Sequence, residues 1–338
     1  GASKYKNMIE MGKSMLPLVR KESPYAEALV SQLIANAYLL QKKYNRAEPY
    51  LETIVRLNAL QPASQRSSVQ ELATLYLVDK NYNGAIQLYK QVLGQGAKNK
   101  VQPGPKLYYR LGLAYSYRGG AHSSNADYST ALHYIKRAID MAQRLHRKAP
   151  KKNDAPRKEW YESWFIMTYK LKNFVQSRAV AKLLVAKWPQ DKNFWNYYAN
   201  TALLLHNDGQ AAAIYGLMYK RGMLKNKDDY LQLASLLLEE KTPYQAAGVI
   251  AAGMAKGILP KTKDNYNTLS QAWTAARAWD KALVALGQEA KLASDGKVYL
   301  RQAQIYLNRR DYIKARQAAQ NALDKGGMGA ATGSAWMT

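Results

Sequence analysis

The chain has 338 residues, a formal net charge of +26 and no cysteine. The missing cysteine excludes disulfide frameworks, zinc–thiolate sites and cysteine nucleophiles, and no apolar run reaches the roughly 18–20 residues that a membrane-spanning helix needs. An excess of Lys and Arg attracts any polyanion, so the charge alone leaves nucleic acid, anionic lipid and acidic protein open as partners.

The first predicted element is an N-terminal helix within residues 1–24, interrupted or kinked near Pro17. From residue 25 a triplet recurs: a small residue, a large residue three later, and a second small residue nine after that. Seven of eight copies keep the nine-residue interval, and the third copy needs seven extra residues there. The triplets are Ala35/Tyr38/Ala47, Ala73/Tyr76/Ala85, Gly112/Tyr115/Ala131, Phe165/Thr168/Ser177, Ala199/Ala202/Ala211, Ala234/Leu237/Ala246, Ser270/Trp273/Ala282 and Ala303/Tyr306/Ala315.

Each triplet predicts two helices joined by a turn. Residues three apart share one helix face, so the first two members lie on one helix. The third opens a second helix, whose small side chain lets the two helices approach closely.

Three Gly- or Pro-rich stretches predict loops, at residues 94–105, 119–125 and 149–156. The predicted domain organisation follows from the copies and these loops. It comprises an N-terminal helix (1–24), copies one to three with long basic loops (25–148), a Pro/Lys-rich linker (149–158), copies four to eight (159–325), and a tail or the start of a further repeat (326–338).

The repeat resembles the tetratricopeptide repeat (TPR) family, whose pattern is Trp-x2-Leu-Gly-x2-Tyr, then Ala, an aromatic residue and Pro, with a period near 34. The matching residues are Trp195, Tyr198, Ala199, Ala211 and Tyr215 in copy five, and Phe174, Leu184 and Pro189 in copy four. The resemblance covers roughly residues 25–325. It implies an all-α fold, a right-handed superhelical solenoid of about eight TPR-like helix pairs.

Catalytic motifs are missing from the sequence. It contains neither a Gly-rich phosphate loop followed by Lys-Ser/Thr nor a Gly-x-Ser-x-Gly elbow. The histidines, His122, His133, His146 and His206, fall in unrelated copies, and the acidic pairs Asp228-Asp229 and Glu239-Glu240 are typical of solvated helix positions. The sequence therefore predicts a protein that is not an enzyme, with no catalytic residue, cofactor or metal.

A groove is the predicted binding site. In the TPR family the residues six and three before the first small residue, and one, four and five after it, tend to face the concave surface. Copy five offers Asn193, Asn196 and Asn200 there, and Asn both donates and accepts hydrogen bonds, which suits a peptide backbone. The candidate groove residues are Asn36, Lys106, Tyr109, Tyr117, Tyr169, Lys170, Asn193, Asn196, Asn200, Asn267 and Gln271. The alternative is a merely hydrated groove.

The positive charge is concentrated in residues 80–190, which hold 21 Lys+Arg and 5 Asp+Glu. The candidate basic patch is Arg144, Arg147, Lys148, Lys151, Lys152, Arg157 and Lys158. It is either a solvated loop or a surface for an acidic partner or a membrane.

Several short sequence segments (phrases) in copies four to eight resemble a bacterial TPR subgroup associated with TonB energy-transduction systems. They are Trp160-Tyr-Glu-Ser-Trp, Leu171-Lys-Asn-Phe, Lys192-Asn-Phe-Trp, Ala272-Trp-Thr-Ala-Ala-Arg and Lys325-Gly-Gly-Met. The resemblance implies a periplasmic accessory of a TonB–ExbB–ExbD transport system; a cytoplasmic location is the alternative.

The expected function is a non-enzymatic interaction scaffold that binds a protein or peptide segment, with acidic character where it meets the basic patch, in the concave groove. The alternative function is a basic solenoid that binds a polyanion, either nucleic acid or an anionic envelope polymer.

Overall fold

The structure is a computed structural model that describes residues 2–98, 103–150 and 155–336. These residues form eighteen α-helices and one 3-10 turn, with no strand among them. The helices are α1 (Ala2–Glu22), α2 (Pro24–Leu40), α3 (Tyr44–Leu57), α4 (Pro62–Val78), α5 (Tyr82–Lys98), α6 (Pro105–His122), α7 (Asn125–Lys148), α8 (Lys158–Lys170), α9 (Phe174–Lys187), α10 (Lys192–Leu204), α11 (Asp208–Lys220), α12 (Lys227–Glu239), α13 (Pro243–Ala255), α14 (Lys263–Ala275), α15 (Trp279–Leu292), α16 (Lys297–Asn308), α17 (Tyr312–Lys325) and α18 (Thr332–Trp336).

The predicted all-α array of eight TPR-like helix pairs is confirmed. Pair one is α2/α3, and the numbering continues two helices at a time to pair eight, α16/α17. The chain divides into two compact units, Gly1–Val180 and Ala181–Thr338, so that the division falls within α9. No helix in the described part of the chain is both long and apolar enough to cross a bilayer.

The turns inside seven of the pairs close in the same way. The carbonyl oxygen of the triplet's second member accepts the N–H of the residue five positions later, as in Lys43 N to Tyr38 O (2.9 Å) and Asp311 N to Tyr306 O (2.9 Å). The residue before each donor has a left-handed backbone; these residues are Lys42, Lys80, Lys172, His206, Lys241, Arg277 and Arg310. This is the Schellman helix end, and its fixed length explains the constant nine-residue interval.

The small members of the triplets are buried in every pair. The second small residues, at 0% exposure, are Ala47, Ala85, Ala131, Ser177, Ala211, Ala246, Ala282 and Ala315. In pair four, where Ser177 replaces Ala, its Oγ lies 3.1 Å from Thr168 Oγ1, which satisfies the buried hydroxyl. In the second unit one apolar cluster extends from Trp195 to Ile305.

The loop predicted at residues 119–125 is wrong. Residues up to His122 are helical in α6, and the Schellman bond there runs from Ser124 N to Gly119 O (3.0 Å). The extra residues of copy three therefore add about one turn to each helix of the pair. Gly119 is required by close packing, because a Cβ at this position would lie 2.9 Å from Tyr128 Cδ1.

Three further predictions concern Pro17, the loop at 94–105 and the linker at 149–158. The predicted interruption near Pro17 does not occur, because α1 continues through Pro17 on the solvent-exposed side of the helix. The loop predicted at 94–105 begins later than expected, since α5 extends to Lys98. Of the predicted linker 149–158, residues 151–154 lie outside the described residues, and the domain boundaries stay predictions.

Candidate functional site

A solvent-facing stripe follows the first helix of every pair. It consists of the residues six and three before the first small residue, and one, four and five after it. None of these positions is buried in any of the eight pairs, all of which lie within the described ranges. The opposite side of each helix carries the buried triplet residues, so the stripe is the face of the first helix that a ligand can reach.

In pair five the stripe carries the three predicted asparagines. Asn193 and Asn200 are exposed and Asn196 is half-buried, and no described residue forms a hydrogen bond with any of the three carboxamides. The helix beneath them is firmly held: Trp195 Nε1 donates to Pro189 O (2.9 Å) and the Asp191 carboxylate accepts from Asn193 N (3.0 Å). The stripe therefore presents unpaired carboxamides on a rigid element.

Pairs five to eight place uncharged hydrogen-bonding groups at the stripe position just after the small residue. These residues are Asn200, Ser235, Gln271 and Gln304, and all four are exposed. Three positions further on, Leu203, Leu238, Thr274 and Leu307 form a mainly apolar row. The second unit thus combines a polar row with an apolar row along its first helices.

Asn267 has a carboxamide of defined orientation. Arg301 Nη1 lies 2.8 Å from Asn267 Oδ1 and Gln271 Nε2 lies 3.1 Å from the same atom. Because a guanidinium can only donate, the oxygen faces Arg301. The Asn267 NH2 group is therefore the part that is left for a ligand, and it has no partner among the described residues.

Tyr109, a predicted groove residue, connects two helix pairs. Its hydroxyl lies 3.0 Å from Ser163 Oγ, and its ring stacks on Trp160 at 4.9 Å between centroids. Burial raises the pKa of the Tyr109 hydroxyl above its ordinary value. Its contacts therefore join α6 to α8, and Tyr109 is only partly accessible to a ligand.

The other candidates in the first unit are more accessible. Tyr117 is 48% exposed beside Tyr82, and Tyr169 is 41% exposed beside Phe174. The remaining three, Asn36, Lys106 and Lys170, are exposed.

Only part of the predicted basic patch can be located, since Lys151 and Lys152 lie outside the described residues. Arg147 and Lys148 lie in the last turn of α7, where cations are favoured by the helix dipole, and Arg144 lies just before that turn. Arg144 pairs with Asp140 at 2.9 Å, and both side chains are well exposed. Arg157 occupies the N-cap position of α8, without a capping hydrogen bond from its side chain, and Lys158 is the first residue of that helix. A role for this patch in binding stays a prediction.

Sequence reasoning missed two buried carboxylates. Asp229 is not a solvated position: Lys192 Nζ lies 2.7 Å from its Oδ2, and its side chain is 13% exposed. Burial acts to raise the pKa of Asp229, but the hydrogen bonds from Lys192 and the backbone of Lys225 and Asn226 outweigh it and lower the pKa. The capping-box spacing Asn226-x-x-Asp229 was the available signal.

The second missed carboxylate, Glu289, is 2% exposed and accepts from Ser270 and Arg301. No spacing within the sequence points to this contact. Across the described ranges, no group of three His, Asp or Glu residues is arranged to hold a metal ion.

Comparisons with known proteins concern the fold. No family model and no curated protein matches the chain. Its solved structural neighbours include TPR proteins of low identity. The C-terminal part of a TPR repeat-containing protein from Cytophaga hutchinsonii is 14% identical, with 87% of this chain and 93% of that chain covered and a TM-score of 0.44. A tetratricopeptide repeat protein from Parabacteroides merdae is 13% identical, with 80% of this chain and 99% of that chain covered and a TM-score of 0.39.

A third neighbour is the TPR2AB domain of yeast Sti1, in a structure described as its complex with pHSP90. It is 12% identical, with 78% of this chain and 91% of that chain covered and a TM-score of 0.39.

Proposed function

We propose that this chain is a non-enzymatic, TPR-type scaffold that binds an extended segment of a partner protein along the stripe of pairs five to eight. The observation that carries the proposal is the set of unpaired carboxamides on one face of α10, continued by hydrogen-bonding side chains in the next three pairs. An extended peptide offers a donor and an acceptor at nearly every residue, and carboxamides can satisfy both.

The charges on this stripe favour a peptide over a polyanion. In pairs five to eight its charged members are Lys297 and the acids Asp228, Glu239 and Asp264. A phosphate backbone is bound by several cations acting together, and this stripe would repel it. The adjacent row of Leu203, Leu238 and Leu307 adds apolar surface for the side chains of a peptide.

A finer proposal concerns the cellular location of the protein and the transport system that it assists. The phrases of copies four to eight that resemble the TonB-associated subgroup support a periplasmic accessory of a TonB–ExbB–ExbD system. Fractionation of cells that express the full-length natural protein tests this: recovery with the periplasmic fraction supports the proposal, and recovery with cytoplasmic markers contradicts it.

Selection from a displayed library of random peptides tests the groove, with the full chain as bait. The affinities of the selected peptides are then measured for Asn196→Ala/Asn200→Ala and for a control, Gln317→Ala/Asn321→Ala, which removes two carboxamides from the second helix of pair eight. We expect the stripe variant to weaken binding by about tenfold or more, since two hydrogen bonds are lost, and the control to bind normally. Equal affinity for both variants, or no selected peptide, would contradict the proposal.

A further inference from the structure

Two consecutive loops of the second unit share one design. The first joins α11 to α12 and the second joins α13 to α14. Each has a cation at the end of the preceding helix, a glycine with positive φ, a buried leucine and a lysine as the first residue of the next helix. The equivalent residues are Arg221 and Lys256, Gly222 and Gly257, Leu224 and Leu259, and Lys227 and Lys263.

The two loops concentrate positive charge. Residues 220–229 and 256–264 together contain seven cations and three carboxylates, a net charge of +4. All seven cations are exposed, and none forms an ion pair with a described residue. We call them the cationic edge: Lys220, Arg221, Lys225, Lys227, Lys256, Lys261 and Lys263. Of the carboxylates, Asp229 is already neutralised by Lys192.

Aromatic contacts show that the two loops lie side by side. Lys256 Nζ, from the second loop, lies 5.8 Å from the ring centroid of Tyr219, which precedes the first loop. The Tyr219 ring in turn lies 5.6 Å from that of Tyr230, which follows the first loop. Arg221 stacks over Trp195 at 4.9 Å. The two loops are therefore neighbours, and cation–π contacts orient two of the cations, Arg221 and Lys256.

Local stability explains only some of these cations. Lys220, Arg221 and Lys256 lie at helix C-termini, where the dipole favours positive charge. Lys227 and Lys263 occupy the first position of α12 and α14, where the dipole disfavours it and acidic residues are preferred. A local rule that is broken in the same way in successive repeats, with no ion-pair partner among the residues that the structure describes, points to a partner outside the chain.

We propose that the cationic edge binds an acidic polypeptide segment of a partner protein, as a second surface that adjoins the stripe at Asp228 and Asp264 but uses none of its residues. The chemistry favours carboxylates over nucleic acid. Trp195 and Tyr230 are buried beneath the edge and offer no face on which bases could stack. The two loops expose no large apolar side chain that would enter a membrane.

Binding of fluorescent poly-L-glutamate to the full chain, followed by anisotropy at low and at physiological salt, tests this proposal. The edge variant is Lys227→Gln/Lys261→Gln/Lys263→Gln. Its matched control is Lys241→Gln/Arg277→Gln/Arg310→Gln, which removes the same charge from exposed turns at the other end of the helix pairs. We expect the edge variant to bind about tenfold more weakly or worse, and the control to stay within about twofold of the unmodified chain.

Three results would overturn the proposal. Equal weakening by both variants would mean that only net charge matters. Undetectable binding of poly-L-glutamate at low salt would show that the cationic edge is not a binding surface for acidic segments. Tighter binding of single-stranded oligothymidylate or of anionic lipid vesicles, lost in the edge variant, would assign the edge to that ligand. The stripe variant Asn196→Ala/Asn200→Ala should bind poly-L-glutamate normally, so failure here is distinguishable from failure of the proposed function.

Discussion

Pairs six and seven have very different residues at one equivalent, buried position of the repeat. Seven residues after the second small residue, pair six has Gly253 and pair seven has Glu289, and both are buried. The other six pairs bury an apolar side chain at this position; these residues are Ile54, Val92, Ala138, Leu184, Met218 and Ala322. The repeat therefore determines that the position is buried, but it leaves the residue type to the neighbours.

The neighbours differ in a way that explains each residue. Gly253 leaves room for the chain that follows α13, because a Cβ there would lie 2.9 Å from both Leu259 Cδ1 and Tyr230 Cδ1. Glu289 accepts from Ser270 Oγ (3.1 Å) and from Arg301, a residue of the next pair. A buried carboxylate is tolerated where such donors surround it. Substitutions at these two equivalent positions should therefore change the free energy of unfolding by different amounts.

The largest effect is expected in pair seven. Glu289→Met, which introduces the kind of residue that pair five has, should lower the free energy of unfolding by about 3 kcal/mol, because Arg301 and Ser270 lose their acceptor. Denaturation by urea measures the loss. The double variant Glu289→Met/Arg301→Met should recover most of it, since no unpaired charge is left; a double variant as unstable as the single one would refute this explanation.

A smaller effect is expected in pair six. Gly253→Ala should destabilise by about 1 kcal/mol, because crowding against Leu259 and Tyr230 exceeds the gain in helix propensity. Gly248→Ala in the same helix is the control, since its added Cβ would have no atom within 4 Å apart from its chain neighbours and the nearby backbone of its own helix. It should stabilise by about 0.5–1 kcal/mol. Thermal unfolding of the two variants checks the difference, and a shift of both in the same direction would contradict it.

The smallest effect should be equal in the two pairs. Lys241 and Arg277 occupy equivalent turns with φ of 55° and 54°. Glycine adopts this backbone without the steric cost of a Cβ, so Lys241→Gly and Arg277→Gly should each stabilise by about 0.5–1 kcal/mol. Equal shifts in the urea midpoint would show that the turns, unlike the Gly253 and Glu289 positions, are independent of their neighbours. Unequal shifts would show that they are not.

The sequence alone was sufficient for the helix pairs and for the accessible face of each first helix. The interval from Tyr38 to Ala47, repeated in seven pairs, reflects a turn closed by bonds between residues five apart. The TPR resemblance implies the stripe positions, and the helical period places Asn193, Asn196 and Asn200 on one face. Both features depend on spacings between residues that are close together in the sequence, so they can be recognised without a structure.

Tertiary structure decided what residues distant in sequence do to one another. Gly119 and its neighbours resembled a loop, but they are helical in α6, where the missing Cβ of Gly119 leaves room for Tyr128. Asp229 resembled a solvated acid, but Lys192, 37 positions earlier, pairs with it. The alignment of two cationic loops into one edge likewise depends on how successive pairs stack. Such contacts depend on which side chains the packed helices bring together, and the spacing of residues along one helix does not specify them.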